Sequence, residues 1–361
     1  MSVGSWLGGV LHPSRSYQSS EARAIYFAAI AGTVSLLAAL FYFWGHGDIP
    51  IFGRVSIGTT AIVLASVAAF IGYFIVLYQN RERTKGRSTF YKVRVFLDRF
   101  SLSFIHGALV FLLTTVAYFV VSEAFTGVLI DKYASSIIVA TTVLVAAYTF
   151  YLIAANATTL MISSALAVFL VSGALTSMIT ATDPYWWQMH LSSLGGGDGF
   201  SSYAFNLTLI IGGAVIVSIA NLIANDFSRL KTLDSKFKQA NIGRVRVLLM
   251  LMGLGLAGVG LFPFDTYPML HNVSASGMFF LFIGLVIGLR SLVPTFSRAF
   301  FIFSYAMIGV LLASLVLLTR VGYFDLTAFE IICFLVLFGW LVVFIRQIAA
   351  ALHDEERRVH V

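Results

Sequence analysis

Ten separate runs of about 20 mostly apolar residues decide the solvent in which this chain folds. They fall at 24–45, 56–78, 104–125, 135–155, 159–179, 203–224, 245–262, 270–289, 299–319 and 326–346. A helix needs about 20 such residues to cross the hydrocarbon core of a bilayer. The runs are continuous rather than alternating with period two, which argues against a transmembrane barrel. The predicted class is all-α, a polytopic helical membrane protein with about ten transmembrane helices. No Asp, Glu, Lys or Arg occurs between Tyr133 and Thr182, yet Ala155-Asn156-Ala157-Thr158-Thr159 supplies a polar turn that divides this stretch into two helices.

Composition agrees. The 361 residues are 59% hydrophobic and 11% charged, against about 25% charged in a soluble domain. An ordinary soluble enzyme, a disordered chain and a secreted disulfide scaffold are all excluded. Cys333 is the one cysteine and lies inside an apolar run, so neither a disulfide framework nor a Cys-based zinc site is available.

The net charge of +7 raises nucleic acid as a partner until the charges are sorted by side. With the amino terminus placed in the cytoplasm, only Arg54, Lys132 and Arg320 of the basic residues fall outside, while acidic residues divide evenly. That asymmetry obeys the positive-inside rule and predicts both termini cytoplasmic. It also removes nucleic acid from consideration. Trp44, Tyr185, Trp186, Trp187, Tyr267 and Tyr323 fall at predicted outer ends, where amphipathic rings favour the headgroup layer. The first run follows 23 mixed residues and lacks a cleavage pattern, so it reads as a retained helix.

Two cytoplasmic connections have helical amphipathic spacing. In 88–100, Phe90, Val93, Phe96, Leu97 and Phe100 oppose Lys92, Arg94, Asp98 and Arg99. In 226–239, Phe227, Leu230, Leu233 and Phe237 oppose Arg229, Lys231, Lys236 and Lys238. Such helices lie in the membrane interface. Lys92, Arg94, Lys236 and Lys238 would then offer a docking surface to anionic lipid or to a protein partner. The alternative is topology determination with interfacial packing.

The outer connections hold the candidate chemistry. Segment 180–202 places Asp183, His190, Ser192, Ser193 and Asp198 among aromatics, beside Gly195-Gly196-Gly197. A second turn, Phe262-Pro263-Phe264-Asp265-Thr266-Tyr267-Pro268, leads to His271, and the first external loop adds His46 and Asp48. His190, Asp265 and His271 would supply the two imidazoles and one carboxylate of an open catalytic zinc site. Asp183 or Asp198 would serve as general base, and Ser192 as nucleophile or oxyanion donor. No HExxH-type spacing ties these residues together. The alternative is that they satisfy loop backbone and cap helices, with Asp265 before span eight and Ser202 before span six.

Other features have plainer readings. Gly253, Gly255 and Gly258 match GxGxxG inside a span with no preceding strand, which is a small-residue face for helix packing. Asn206, Thr208 and Asn221 fit interhelical hydrogen bonding or a cavity lining. Glu330, about one turn into the last span, is a candidate functional carboxylate, or else reaches the interface or pairs with Arg320. His106 and Glu123 are expected to reach water from opposite ends of span three. No Asp, Glu, Lys or Arg sits near mid-span, which argues against an ion- or proton-coupled pump. There is no Walker motif for ATP-driven transport by this chain alone.

Leu191-Ser192-Ser193-Leu194-Gly195, followed by Phe205-Asn206 and Gly212-Gly213, resembles the I-S-x-L-G … F-N … G signature of the bacterial multi-pass family called domain of unknown function 998. Gly260-Leu261-Phe262-Pro263-Phe264-Asp265 with His271 resembles that family's second motif, G-x-F-P-x-D … H. His190 stands where the family often has Thr. The resemblance implies a six-helix unit at 159–346 in a bacterial inner (plasma) membrane, while the apolar runs and loop charges add a four-helix membrane extension at 24–158 and cytoplasmic segments at 1–23 and 347–361. It makes Gly195, Asn206 and Pro263 motif-supporting residues, and it brings no settled activity. More distantly the pattern is similar to the Frag1/DRAM/Sfk1 group of eukaryotic membrane proteins, which implies lipid remodelling or scaffolding. The resulting expectation is an outer-face site that binds or processes a lipid or amphipathic substrate. A non-enzymatic scaffold and a facilitator-type transporter are the alternatives.

Overall fold

The computed structural model describes residues 17–79, 88–233, 239–293 and 296–359. Ten described helices are long and apolar enough to cross a membrane, matching the ten predicted spans. The chain divides into two compact units, Met1–Ala157 and Thr158–Val361.

The first unit contains α1 (Tyr17–Phe43), α2 (Ile57–Gln79), α3 (Thr89–Ala124) and α4 (Lys132–Ala155). Two short strands, β1 (Ile49–Pro50) and β2 (Leu129–Ile130), pair antiparallel with Ile49 opposite Ile130. Two residues per strand are too few for a periodic signal, so the sequence gives no warning of this ribbon. Asp131 then starts α4 by accepting hydrogen bonds from the Tyr133 and Ala134 N–H groups on Oδ1. Gly72 of α2 faces the Phe27 ring of α1, where a Cβ would come within 2.7 Å of the ring edge.

Two expectations change here. Span three is one continuous helix from Thr89, so the amphipathic stretch 88–100 forms its first turns and is not a separate interfacial helix. His106 therefore sits near the middle of α3 and not at an end in water. It is buried, its ring stacks on Tyr73 at 3.9 Å, and its Nδ1 meets the Leu102 carbonyl at 2.7 Å. Lys92 is exposed, and Arg94 lies 4.0 Å from Asp98 in an i,i+4 pair.

The second unit contains α5 (Thr159–Ile179), two 3₁₀ turns (Trp186–Gln188 and Leu191–Gly195), α6 (Phe200–Leu233), α7 (Gln239–Leu261), α8 (Pro268–Leu292), α9 (Arg298–Val316), a π turn (Leu317–Val321) and α10 (Leu326–Val359). Small residues bring its helices together, as expected for membrane packing without a hydrophobic driving force. Gly253 of α7 approaches so closely that a Cβ there would lie 2.7 Å from the Gly213 carbonyl of α6. Gly255 and Gly258 face Met278 and Ser274 of α8, so the GxGxxG match is a packing face. Gly322, at φ +69°, ends the π turn in the left-handed conformation, which costs least without a Cβ.

The amphipathic face predicted for 226–239 turns inward over its described part. Phe227 and Leu230 are buried on α6, and the Phe227 ring lies 6.1 Å from Phe296 and 6.3 Å from Phe344. These residues pack on protein, so they are unavailable to the acyl boundary. Lys236 and Lys238 lie outside the described residues. An aromatic cluster continues along α10, where Trp340 stacks on Phe344 at 4.9 Å and donates its Nε1–H to Ser304 Oγ at 2.9 Å.

Candidate functional site

The second 3₁₀ turn, Leu191–Gly195, is held at both ends by side chains distant in sequence. Its opening N–H groups have no partners within the turn, as at any helix start. Glu330 Oε2, from the first turns of α10, accepts from Leu191 N at 2.6 Å and from Ser192 N at 3.4 Å. Glu330 thus bonds neither to Arg320 nor simply to the interface, and it anchors a loop. At the other end the Gly195 carbonyl accepts from Ser202 Oγ at 2.7 Å and Asn206 Nδ2 at 2.9 Å, both on α6. Ser202 lies inside α6 and serves this carbonyl instead of capping the helix.

These contacts explain the first motif physically. Gly195 cannot carry a Cβ, which would lie 2.5 Å from Asn206 Oδ1. A Cβ on Gly260 of α7 would lie 2.6 Å from the Asn206 carbonyl. Both motifs therefore converge on Asn206. Asn206 Oδ1 and Thr327 Oγ1, one helical turn before Glu330, are buried without hydrogen-bond partners among the described residues.

The second motif forms the neighbouring turn. Pro263 O accepts from Tyr267 N at 2.9 Å, and Pro268 starts α8 with Tyr267 at the cap position. Asp265 does not cap that helix. Its carboxylate lies over Gly196, where a Cβ would collide with Oδ2. His271 is buried in the first turn of α8, and its Nδ1 donates to the Phe262 carbonyl at 2.9 Å, leaving Nε2 as its remaining nitrogen. Phe264 makes T-shaped contacts with His190 at 4.6 Å and His271 at 5.7 Å. Partial burial pushes the His190 imidazole below its ordinary pKa, while nearby Asp265 pulls it up and His271 pushes it down.

His190, Asp265 and His271 therefore meet at one end of this unit. Among the described residues, however, no three His, Cys, Asp or Glu side chains are grouped closely enough to hold a metal ion. Asp183 closes a local turn by accepting from Tyr185 N at 2.8 Å, and Asp198 is exposed. Ser192 is the residue of the expected catalytic set that reaches a cavity.

That cavity has a volume of about 570 Å³ and lies among the membrane-spanning helices directly against the 3₁₀ turn. Leu170, Leu209, Leu256 and Leu341 form part of its buried wall. Val171 and Leu175 of α5, Phe280 of α8 and Leu335 of α10 also line it and are exposed. The cavity is thus open where these apolar side chains meet the surface. Its few polar lining residues include Ser192, Thr208, Asn272, Ser276 and Glu330. Asn272 and Ser276 stand one turn apart on α8, and that i,i+4 spacing of polar residues is the sequence signal for a polar stripe facing the cavity.

Fold and site define a multi-pass helical membrane protein with an intramembrane cavity under a clamped turn. The chain belongs to the family described as "Protein of unknown function (DUF998)", which matches residues 161–347. No curated protein and no solved structure matches it.

Proposed function

We propose that residues 158–361 bind the alkyl chain of a lipid or other amphipathic molecule in the cavity, with its polar head toward Ser192 and Glu330. The observation that carries this reading is an apolar cavity of about 570 Å³ with exposed apolar side chains at its mouth and polar groups at one end. Its size is in the range of small-molecule sites, about 300–1,000 Å³. The charge asymmetry of the loops supports placing the polar end in the outer leaflet of a bacterial inner membrane, with both termini cytoplasmic. Asn206 and Asn221 are each engaged locally, the latter by Arg246 at 2.9 Å, and buried Leu209, Ile211, Val215 and Ile216 separate them. That arrangement favours binding over a polar path for a transporter.

The test fills the cavity from its small lining residues. Ala174→Trp and Ala275→Trp should abolish retention of alkyl-chain ligands in native mass spectrometry of the detergent-purified protein, while elution volume and melting temperature stay near wild type. Wild-type retention by well-folded variants would overturn the reading.

Zinc at His190, Asp265 and His271 is a separate proposal, since none of the three lines the cavity. It is supported by the Phe264 ring, which touches both His190 and His271, and by the Asp265 carboxylate over Gly196 in the adjoining turn. Stoichiometric zinc in the wild type, lost in His190→Ala and His271→Ala, would support it; absence of uptake would remove it.

A further inference from the structure

We infer that the cavity selects amphiphiles whose head donates hydrogen bonds, an amine or a hydroxyl, and rejects anionic heads such as carboxylate or phosphate. This rests on the cavity-binding reading above and adds the class of head group to it.

The argument begins with what lines the polar end. Glu330 is the one carboxylate among the lining residues, and no Lys, Arg or His is among them. With Glu330 ionised, a phosphate or carboxylate placed there would meet a like charge with no Lys, Arg or His among the lining residues to offset it. In a low-dielectric site that repulsion is far stronger than in water. The backbone donors nearest the carboxylate offer no relief, because Leu191 N and Ser192 N already donate to Glu330 Oε2.

The same clamp leaves acceptor capacity over. An ionised carboxylate presents about four lone-pair sites on two oxygens. Only Oε2 is engaged by the described residues, at Leu191 and Ser192, so Oε1 has no protein partner among them. The clamp also fixes where that oxygen lies, because the turn is itself held at Gly195 O by Ser202 and Asn206. A fixed, unfilled acceptor beside an apolar cavity matches a head that donates. An ammonium adds charge attraction, and a hydroxyl donates one bond while accepting another. Asn272 and Ser276, one turn apart on α8, line the same cavity and supply further polar partners for hydroxyl-bearing heads.

The experiment compares four compounds of equal chain length: dodecylamine, 1-dodecanol, dodecanoate and dodecyl phosphate. Each is added at the same mole fraction to micelles of the full-length protein at pH 7.5, and occupancy is read by native mass spectrometry. Dodecylamine and 1-dodecanol should be retained about tenfold or more above the two anions, the ratio expected for a charge-assisted hydrogen bond. Glu330→Gln keeps an oxygen for the Leu191 N–H, so the turn is preserved. It should bring the amine and the two anions to similar occupancy while the chain is still held. Preference of the wild type for either anion, or equal retention of all four, would overturn the inference alone. Retention of none would overturn the cavity reading and this inference with it. The wild-type series decides the matter even if Glu330→Gln is poorly folded.

Discussion

Glu330 Oε2 holds the backbone N–H of Leu191 at 2.6 Å, joining the start of the last spanning helix to a 3₁₀ turn 139 positions earlier. The contact ties the loop that carries the first motif to the wall of the cavity. A buried donor left without its acceptor costs about 1–3 kcal/mol.

Glu330→Leu removes the acceptor for two N–H groups at once. The amides of Leu191 and Ser192 should exchange hydrogen markedly faster, and the 180–199 segment with them, while amides in the middle of α6 and α7 keep their protection. Hydrogen–deuterium exchange mass spectrometry checks this. Unchanged exchange in 190–195 would show that the turn stands without the carboxylate.

Gly195 O takes two donors, Ser202 Oγ and Asn206 Nδ2, which makes their loss non-additive. Ser202→Ala or Asn206→Ala alone leaves one donor in place and should cost about 1 kcal/mol. The double variant strips the carbonyl bare, and its destabilisation should exceed the sum of the singles by about 1 kcal/mol. Thermal unfolding of the four proteins in one detergent completes the cycle. Simple additivity would mean that water or lipid replaces the lost donors.

Gly213 and Gly277 make opposite predictions, although both are glycines in spanning helices. A Cβ on Gly213 would lie 2.6 Å from the backbone nitrogen of Ala257, whereas one on Gly277 meets nothing within 4 Å. Gly213→Ala should therefore push α6 from α7 and destabilise by about 1–3 kcal/mol, the usual cost of overpacking. Gly277→Ala should be neutral or slightly stabilising, since alanine is the better helix former. Melting temperatures of the two variants decide it, and equal values would contradict the close approach.

The spans were legible because a bilayer imposes one length and one composition on every crossing, so Ile57–Gln79 or Thr159–Ile179 announces itself without a neighbour. The family was legible because its short motifs are spacing patterns of small and polar residues. The clamp was not, since nothing local links Glu330 to Leu191 or Asn206 to Gly195. Those pairs are set by how α6 and α10 pack. The same reason hid the inward turn of Phe227 and Leu230. An amphipathic face shows that a helix has two sides, but the partner for its apolar side, lipid or Phe296 and Phe344, is a tertiary fact. His106 stands near the start of the apolar run at 104–125, but the helix begins at Thr89, and the stack on Tyr73 and the bond to Leu102 make His106 a core residue.

His190 gives the site a pH dependence whose sign follows from its surroundings. Burial lowers its pKa in the folded protein below the ordinary value of about 6.5. Below that value the unfolded chain binds more protons at this position than the folded one, so stability rises with pH. The contribution is fully present above about pH 6.5 and is lost as pH falls through the lower folded-state value. Asp265 works against burial by attracting the imidazolium, so Asp265→Asn should lower the His190 pKa further. Removing the repulsion with His271→Ala should raise it toward the ordinary value. Histidine-selective ¹⁵N NMR of the micelle-bound protein reads each titration directly. Shifts of opposite sign in the two variants would place all three side chains in one electrostatic neighbourhood, whereas an unmoved titration in both would separate His190 from the second motif.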